Sequence, residues 1–387
     1  LVTEIKKKAP GVEIILLTAH GNIPDGVQAI KNGAFDYITK GDDNNKIIPL
    51  ISRAVEKARM NIRLDKLEKK VGLMYSFDTI LGESKALKEA VSLARKVSVT
   101  DVPVLLTGET GTGKEVFAQS IHYNSKRSQQ NFVAVNCSSF SKELLESEMF
   151  GHKAGSFTGA LKDKKGLFEE ANNGTIFLDE IGEMAFELQA KLLRILETGE
   201  YIKIGDTKPT RINVRIIAAT NRDLPAEIAA GRFREDLFYR LSVFQVHLPP
   251  LRERTGDIKI LAESFVRSFS EKLSHPVGTI TPAYLEALCQ QPWKGNIREL
   301  RNAIERSLIV CEGDCLDVDD LPLEIQNSHY EKSDEGMPGS FELSAMERRH
   351  IARVLEHTKG NKTEAARLLK IGLTTLYRKI EEYKLGS

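Results

Sequence analysis

Residues 108–115 read GETGTGKE, directly after an apolar run, Val104–Leu106, and before a helical pattern, Val116–His122. A G-x-x-x-x-G-K loop set between a strand and a helix constrains the fold more than any other stretch of the chain. Gly108, Gly111 and Gly113 let the backbone curl until its N–H groups, with those of Glu109, Thr110 and Thr112 between them, point inward at phosphate oxygens. The helix that follows adds a partial positive charge at its N-terminus. Lys114 is placed to neutralise the β- and γ-phosphates. Glu115 stands where the general motif has a Ser or Thr hydroxyl for Mg²⁺, so the metal must rely more on water and on another carboxylate.

Residues 174–180, GTIFLDE, offer that carboxylate: an apolar strand ending in two acids. Asp179 suits the Mg²⁺ shell, and Glu180 suits polarising a water toward the γ-phosphate. Strand ends often carry solvated acids, but this pair follows the phosphate loop by about 65 residues and gains force from it. A further strand, Arg215–Ala219, ends in Thr220-Asn221. A polar residue at the carboxyl end of a central strand faces the ligand crevice, so Asn221 is placed to hold the water or contact the γ-phosphate.

Between these motifs lies GHKAGSFTGAL, residues 151–161. Glycine costs a helix about 1 kcal/mol against alanine, and the alternation is wrong for a buried strand. The stretch reads as a flexible loop with hinge freedom at Gly155 and Gly159, an apolar anchor in Phe157 and a hydrogen-bonding group in Thr158.

The net charge is +1, which excludes a polycation and makes any nucleic-acid site a local patch. No apolar run reaches membrane-spanning length. The opening LVTEIKKKAP lacks the apolar region of a signal peptide and an initiator Met, and reads as part of a longer chain. Cys137, Cys289, Cys311 and Cys315 suggest a reducing, cytoplasmic compartment; Cys311-x3-Cys315 has no second pair and reads as ordinary thiols.

Composition breaks divide the chain. Residues 1–58 alternate strand (Ile14–Thr18, Phe35–Thr39) and helix (Pro24–Asn32, Asn45–Arg59), the pattern of a parallel α/β sheet too short for a whole domain. Residues 59–76 form a helical linker, readable as a short coiled coil or as a solvated helix. Residues 77–325 are a large α/β unit that turns mostly helical from about Thr255. Residues 326–340 read as a flexible linker. Residues 341–387 are helical, with ten Lys/Arg against six Glu.

GETGTGKE, GLFEEANNGTIFLDE and GSFTGA together resemble the central domain of the bacterial enhancer-binding activators of sigma-54 RNA polymerase, members of the AAA+ ATPases, and the flanks resemble NtrC-like response regulators. Glutamate after the loop lysine is usual there. The resemblance implies a truncated receiver-type α/β segment, a central AAA+ α/β ATPase domain with a helical lid, and an all-α helix-turn-helix. It implies an ATP- and Mg²⁺-using activator that remodels sigma-54 RNA polymerase holoenzyme from upstream enhancer DNA. Its implied partners are a sensor histidine kinase and its own copies, as a dimer and a hexameric ring. A non-motor nucleotide sensor would not need Glu180, and other AAA+ machines do not carry the GSFTGA loop.

By the same resemblance, Asn136 holds Glu180 away from water until the γ-phosphate is engaged. Arg234 and Arg240, in RFREDLFYRL, reach the ATP of a neighbouring subunit, although a pair of surface arginines bonded to Glu235 or Asp236 is an alternative reading. Arg298, in PWKGNIREL, approaches the γ-phosphate from its own lid, and Ile80–Gly82 lies against adenine. Gly155, Ser156, Phe157, Thr158, Gly159 and Ala160 form the sigma-54 contact, with Ser156 where the family usually has Ala. Thr18 and Lys40 match receiver switch residues, whose phospho-acceptor Asp belongs to earlier strands; half a receiver sheet is expected to be unstable unless packed on something. In the last segment, Thr363–Lys370 and Thr374–Tyr383 resemble a Fis-like pair of helices offering Thr374, Thr375, Arg378 and Lys379 to DNA. A helical hairpin used for dimerisation is the alternative. Ala365, Ala366, Leu369, Leu376 and Ile380 are the expected core, and Ile351, Val354 and Leu355 are left to pack on a second copy.

Overall fold

The structure is a computed structural model that describes residues 1–9, 11–18, 23–40, 44–157, 159–273, 279–326, 343–358 and 360–383. Thr158 and the linker residues 327–340 lie outside these. The chain divides into two compact units, Leu1–Leu316 and Asp317–Ser387.

The first unit begins with α1 (Val2–Lys8), β1 (Ile15–Thr18), α2 (Ile23–Lys31) and β2 (Asp36–Thr39). β1 and β2 pair in parallel, with Thr18 opposite Thr39. Thr18 therefore ends one strand, and Lys40 follows the end of its neighbour, exposed. The apolar cluster here is small: Val2, Ala29 and Ala34 with Ile14 and Leu16. Helix α3 (Asn44–Met74) runs without a break past residue 58, where composition divides the chain. Glu13, almost wholly buried, fastens it to the sheet by accepting from Lys6, Lys57 and Asn61 at 3.4 Å each.

The central region then runs α4 (Lys85–Ser98), β3 (Val104–Thr107), α5 (Lys114–Tyr123), β4 (Phe132–Asn136), α6 (Lys142–Phe150), α7 (Leu167–Glu170), β5 (Thr175–Asp179), α8 (Phe186–Thr198), β6 (Glu200–Ile202), β7 (Pro209–Arg211), β8 (Arg215–Thr220), α9 (Leu224–Ala229), α10 (Glu235–Leu241) and β9 (Phe244–His247). Five strands pair in the order β4-β5-β8-β3-β9, all parallel. Side chains alternate faces along a strand, and helices cover both faces, so the strands are apolar at nearly every position. Leu105, Ile176, Leu178, Ile216 and Ala218 pack on one face with Leu145, Phe168 and Leu188. Val104, Leu106, Phe177, Ile217 and Ala219 pack on the other with Leu87, Phe117 and Ile121.

A helical lid follows: α11 (Gly256–Leu273), β10 (Thr279–Ile280), α12 (Pro282–Cys289), α13 (Asn296–Val310) and β11 (Cys315–Leu316). Thr281 caps α12 by accepting from the Tyr284 amide, with proline in the first turn.

In the second unit, helices Leu343–His357, Lys362–Leu368 and Leu373–Glu382 enclose Ile351, Ala365, Ala366, Leu376 and Ile380. Asn361 caps the second of these helices, its side chain accepting from the Glu364 amide. Val354 and Leu355 pack against the same cluster. The apolar stripe expected to meet a second copy is therefore used within the unit, because two short helices cannot close a core without a third.

Two buried basic side chains hold this frame. Arg215 is 1% exposed and donates to the Val97 and Ser98 carbonyls at 2.9 Å, satisfying the end of α4. His122, fully buried between α5 and β5, bonds the Thr175 hydroxyl at 2.9 Å. Burial, with Arg215 nearby, pushes its imidazole down to about 4. The unfolded chain binds this proton below about pH 6.5, the folded chain only near 4. Its stabilisation is therefore complete above about 6.5 and is lost as pH falls toward 4, by about 3 kcal/mol. The drop in thermal midpoint between about pH 7 and pH 5 should accordingly be smaller in His122→Asn than in the wild type; an equal drop would assign the acid sensitivity to other groups.

Candidate functional site

Parallel pairing brings the strand ends level. Thr107 is in register with Thr220 on one side and His247 on the other, and Asn136 with Asp179. The loop after β3, the acids ending β5 and the Thr-Asn ending β8 thus share one edge of the sheet, as a ligand crevice requires. The Gly108 amide bonds the Thr220 carbonyl at 3.3 Å, joining the loop to β8.

The glycine-rich loop curls as its sequence requires, with left-handed backbone at Gly108, Gly111 and Gly113. At Gly111, φ is +79° and a Cβ would lie 2.2 Å from the Gly295 carbonyl oxygen, so no other residue fits. Lys114 opens α5 and folds back over the loop, its Nζ donating to the Gly108 and Glu109 carbonyls at 2.8 and 3.2 Å. It is 6% exposed. Burial lowers its pKa most, Glu180 and Asp179 oppose that, and Arg298 lowers it further. Lys114 thus lies within electrostatic reach of Glu180, Asp179 and Arg298.

Glu180 has a left-handed backbone, φ +51°, immediately after the strand. Its amide donates to Asp179 Oδ1 at 3.0 Å. Its carboxylate accepts from the Asn221 amide at 3.4 Å, and the Asn221 side chain donates to Thr110 Oγ1 at 3.1 Å. Asn221 bridges loop and acid. Asn136 does not bond Glu180 here; its Oδ1 accepts from the amide and hydroxyl of Ser138 at 2.8 and 2.7 Å. Behind the acids, burial pushes the Cys137 thiol up to about 12, leaving an inert core cysteine. Glu115 is exposed on the first turn of α5.

Arg234 and Arg240 lie away from these contacts. Arg234 makes parallel bonds to Asp236 at 3.0 and 2.7 Å, and Arg240 reaches Glu197 at 3.5 Å. The surface pairing weighed from the sequence is thus present for Arg234, while Arg240 meets Glu197 and neither Glu235 nor Asp236. Sequence reasoning missed Gln189, which is fully buried on α8. It donates to the Met184 and Arg232 carbonyls and accepts from the Arg234 amide, tying the segment after Glu180 to the arginine segment. It also missed the lid's grip. Asp257 accepts from the Glu83 amide and from both amide and hydroxyl of Ser84, fixing the strip beside Ile80–Gly82. Arg254 donates to the Thr112 carbonyl at 3.3 Å, and Arg252 and Asn296 bond Glu109.

The loop 152–164 is closed at its neck by paired backbone bonds between His152 and Lys164, and Lys153 pairs with Asp163 at 2.6 Å. His152 packs edge-on to Phe157 at 4.9 Å, yet Phe157 remains 46% exposed and Leu161 90%. The loop rests on the turn joining β6 and β7, where a Cβ on Gly205 would meet Ser156 Cβ at 2.5 Å.

In the second unit, Thr374 and Arg378 are exposed on the last helix. Lys379 is engaged internally, donating to Glu347 at 2.6 Å and to the Tyr383 hydroxyl at 3.1 Å.

Comparison with known proteins matches the sigma-54 interaction domain over residues 80–247 and the AAA+ ATPase lid domain over 252–337. The response regulator receiver domain matches over 1–52 and the Fis family of bacterial regulatory proteins over 342–383. The chain is 40% identical to the regulatory protein AtoC of Escherichia coli K12 over 386 residues, covering 98% of this chain and 84% of that one. It is 40% identical to the alginate biosynthesis regulator AlgB of Pseudomonas aeruginosa, covering 100% and 85%. The crystal structure of NtrX from Brucella abortus in complex with ADP is similar at 31% identity and a TM-score of 0.67, covering 99% and 85%. Among the described residues no helix is long and apolar enough to cross a membrane.

Proposed function

The chain belongs to the sigma-54-dependent response regulators, ATP-hydrolysing activators of transcription in two-component systems, and from that premise we propose how its residues divide the work. ATP lays its β- and γ-phosphates on the 108–114 amides, with Lys114 balancing their charge. Glu180 takes a proton from a water aimed at the γ-phosphorus, and Asn221 positions that water or the γ-phosphate. Asn136 is the partner that restrains Glu180 before ATP engages, after leaving Ser138. Arg298 approaches the γ-phosphate from the lid. The observation that carries this reading is the meeting of Lys114, Asp179, Glu180 and Asn221 at the carboxyl ends of β3, β5 and β8. NtrX of Brucella abortus, similar over about 85% of its chain, has been crystallised with ATP as well as ADP.

The donor set fits Mg²⁺. One intermediate-exposure carboxylate, Asp179, with water and substrate phosphates, suits a hard cation that rarely uses an all-protein cage. Among the described residues no group of three or more acidic, His or Cys side chains offers such a cage. Asp179 would hold the ion, which supplies charge neutralisation at the phosphates when bound.

Arg234 and Arg240 serve the ATP of a neighbouring copy in a ring, exchanging their Asp236 and Glu197 partners for phosphate. Phe157, exposed on a loop closed at its neck, docks on sigma-54. Thr374, Thr375 and Arg378 face the enhancer DNA, while Lys379 braces the helix that carries them.

Glu180→Gln should retain ATP binding and lose hydrolysis by roughly a hundredfold or more, as expected when a positioned base is removed; turnover near the wild-type rate would assign the water to another residue. Phe157→Ala should keep ATPase and DNA binding but abolish promoter opening. A thermal loss matching the roughly 3–5 kcal/mol of a deleted core phenylalanine would instead make the residue packing. Mixing Arg234→Ala with Lys114→Ala subunits should restore part of the ATPase activity, since some interfaces then pair an intact loop with intact arginines. Complete silence at every mixing ratio would place the arginines outside their neighbour's site.

A further inference from the structure

Asn296 joins the phosphate loop to the lid. It is fully buried, with a left-handed backbone at φ +53°, in the same turn as Trp293 at φ +44°. Non-glycine residues rarely enter that region, and such strain persists where the surroundings impose it. The Leu251 amide can only donate, so the atom it meets at 2.7 Å is Asn296 Oδ1. That fixes Nδ2 toward two groups that only accept, the Glu109 carboxylate and the Thr110 carbonyl, each at 3.1 Å. Arg252, beside Leu251, closes the other side of Glu109 with parallel bonds of 2.8 and 2.6 Å. Arg252 first, then Asn296, hold the Glu109 carboxyl down to about 2. The Ile297 amide bonds the Gly111 carbonyl at 3.0 Å, and the next residue is Arg298.

We propose that Arg252 and Asn296 are positioning residues that, through Glu109, set Arg298 against the phosphate loop so that the site distinguishes ATP from ADP. The inference rests on the nucleotide reading above and adds residues that reading does not use. Arg298 lies on the first turn of α13, two residues after Asn296, and its side chain rides on whatever fixes that turn. The γ-phosphate is the part of ATP that ADP lacks. Moving Arg298 therefore changes selectivity, whereas merely loosening the loop weakens both nucleotides, because both place a β-phosphate on the loop amides.

The test measures calorimetric affinity of the full chain for ADP and for the β,γ-imido analogue of ATP. Asn296→Asp keeps the shape of the side chain but turns its donor into an acceptor facing Glu109 and Thr110. It should lower the ATP-analogue-to-ADP affinity ratio roughly tenfold, the scale of one charge-assisted contact. Arg252→Lys keeps the charge but loses the parallel pair, and should lower the ratio less. Glu109→Gln combined with Asn296→Asp reverses donor and acceptor in the same contact and should restore most of the ratio. Asn296→Gly retains the left-handed backbone and removes only the side chain; it should match Asn296→Asp if the latter folds poorly by thermal melting. An unchanged ratio in both Asn296 variants, or equal loss for both nucleotides without rescue, overturns the proposal. A wild-type chain that binds neither nucleotide overturns the nucleotide reading itself, and this inference with it.

Discussion

Parallel pairing with near-level register is the constraint from which the rest of the site follows. In a parallel sheet every strand delivers its carboxyl end to the same edge, so chemistry at that edge needs no long excursion of the chain. β3 contributes the phosphate loop, β5 the acids and β8 the asparagine, with Thr107 opposite Thr220 and Asn136 opposite Asp179. The strands can be apolar along their lengths because helices cover both faces, and the polar residues collect at their ends. Arg215 at the opposite end of β8 reaches the end of α4, so the same strand fixes a covering helix and supplies a site residue.

The elements around this edge are held by buried neutral amides. Asn296 secures the lid side and Gln189 the arginine side, each 0% exposed and each satisfying backbone groups from distant segments. An amide can donate and accept at once without adding charge. That matters where Glu180, Asp179 and Arg298 already act on the buried Lys114 ammonium. A further buried charge would need its own partner, and an unpaired one is costly. Glu109 is charged but not buried: its side chain is 41% exposed, and Arg252, outside the loop, pairs with it.

Local pattern made the central motifs legible. The glycines of 108–113 follow an apolar strand and open a helix, and both flanks were found where periodicity placed them. The acids of β5 and Asn221 of β8 were readable for the same reason. β6, β7 and β9 were not, being strands of three or four residues without a distinctive run. Asn296 looked like part of a motif led by Arg298, and nothing local shows its left-handed backbone or its reach to Glu109. The Arg252–Glu109 pair spans 143 residues, beyond any periodicity. Ile351, Val354 and Leu355 were correctly seen as an apolar stripe, but a stripe does not say which surface covers it; here it is the chain's own. Lys379 likewise reads as a basic residue on a recognition helix until Glu347, 32 residues earlier, meets it.

The Ser156 loop shows how a small departure from a family pattern acquires physical meaning once packing is known. Ser156 lies against Gly205 through its Cβ, an atom that alanine shares. Its Oγ is buried and finds no hydrogen-bond partner among the described residues. A buried hydroxyl without a partner costs roughly 1–3 kcal/mol relative to one in water. With alanine the contact would be the same and the cost absent. Serine at this position therefore keeps the contact with Gly205 and leaves Phe157 exposed, while carrying a buried hydroxyl that alanine would not.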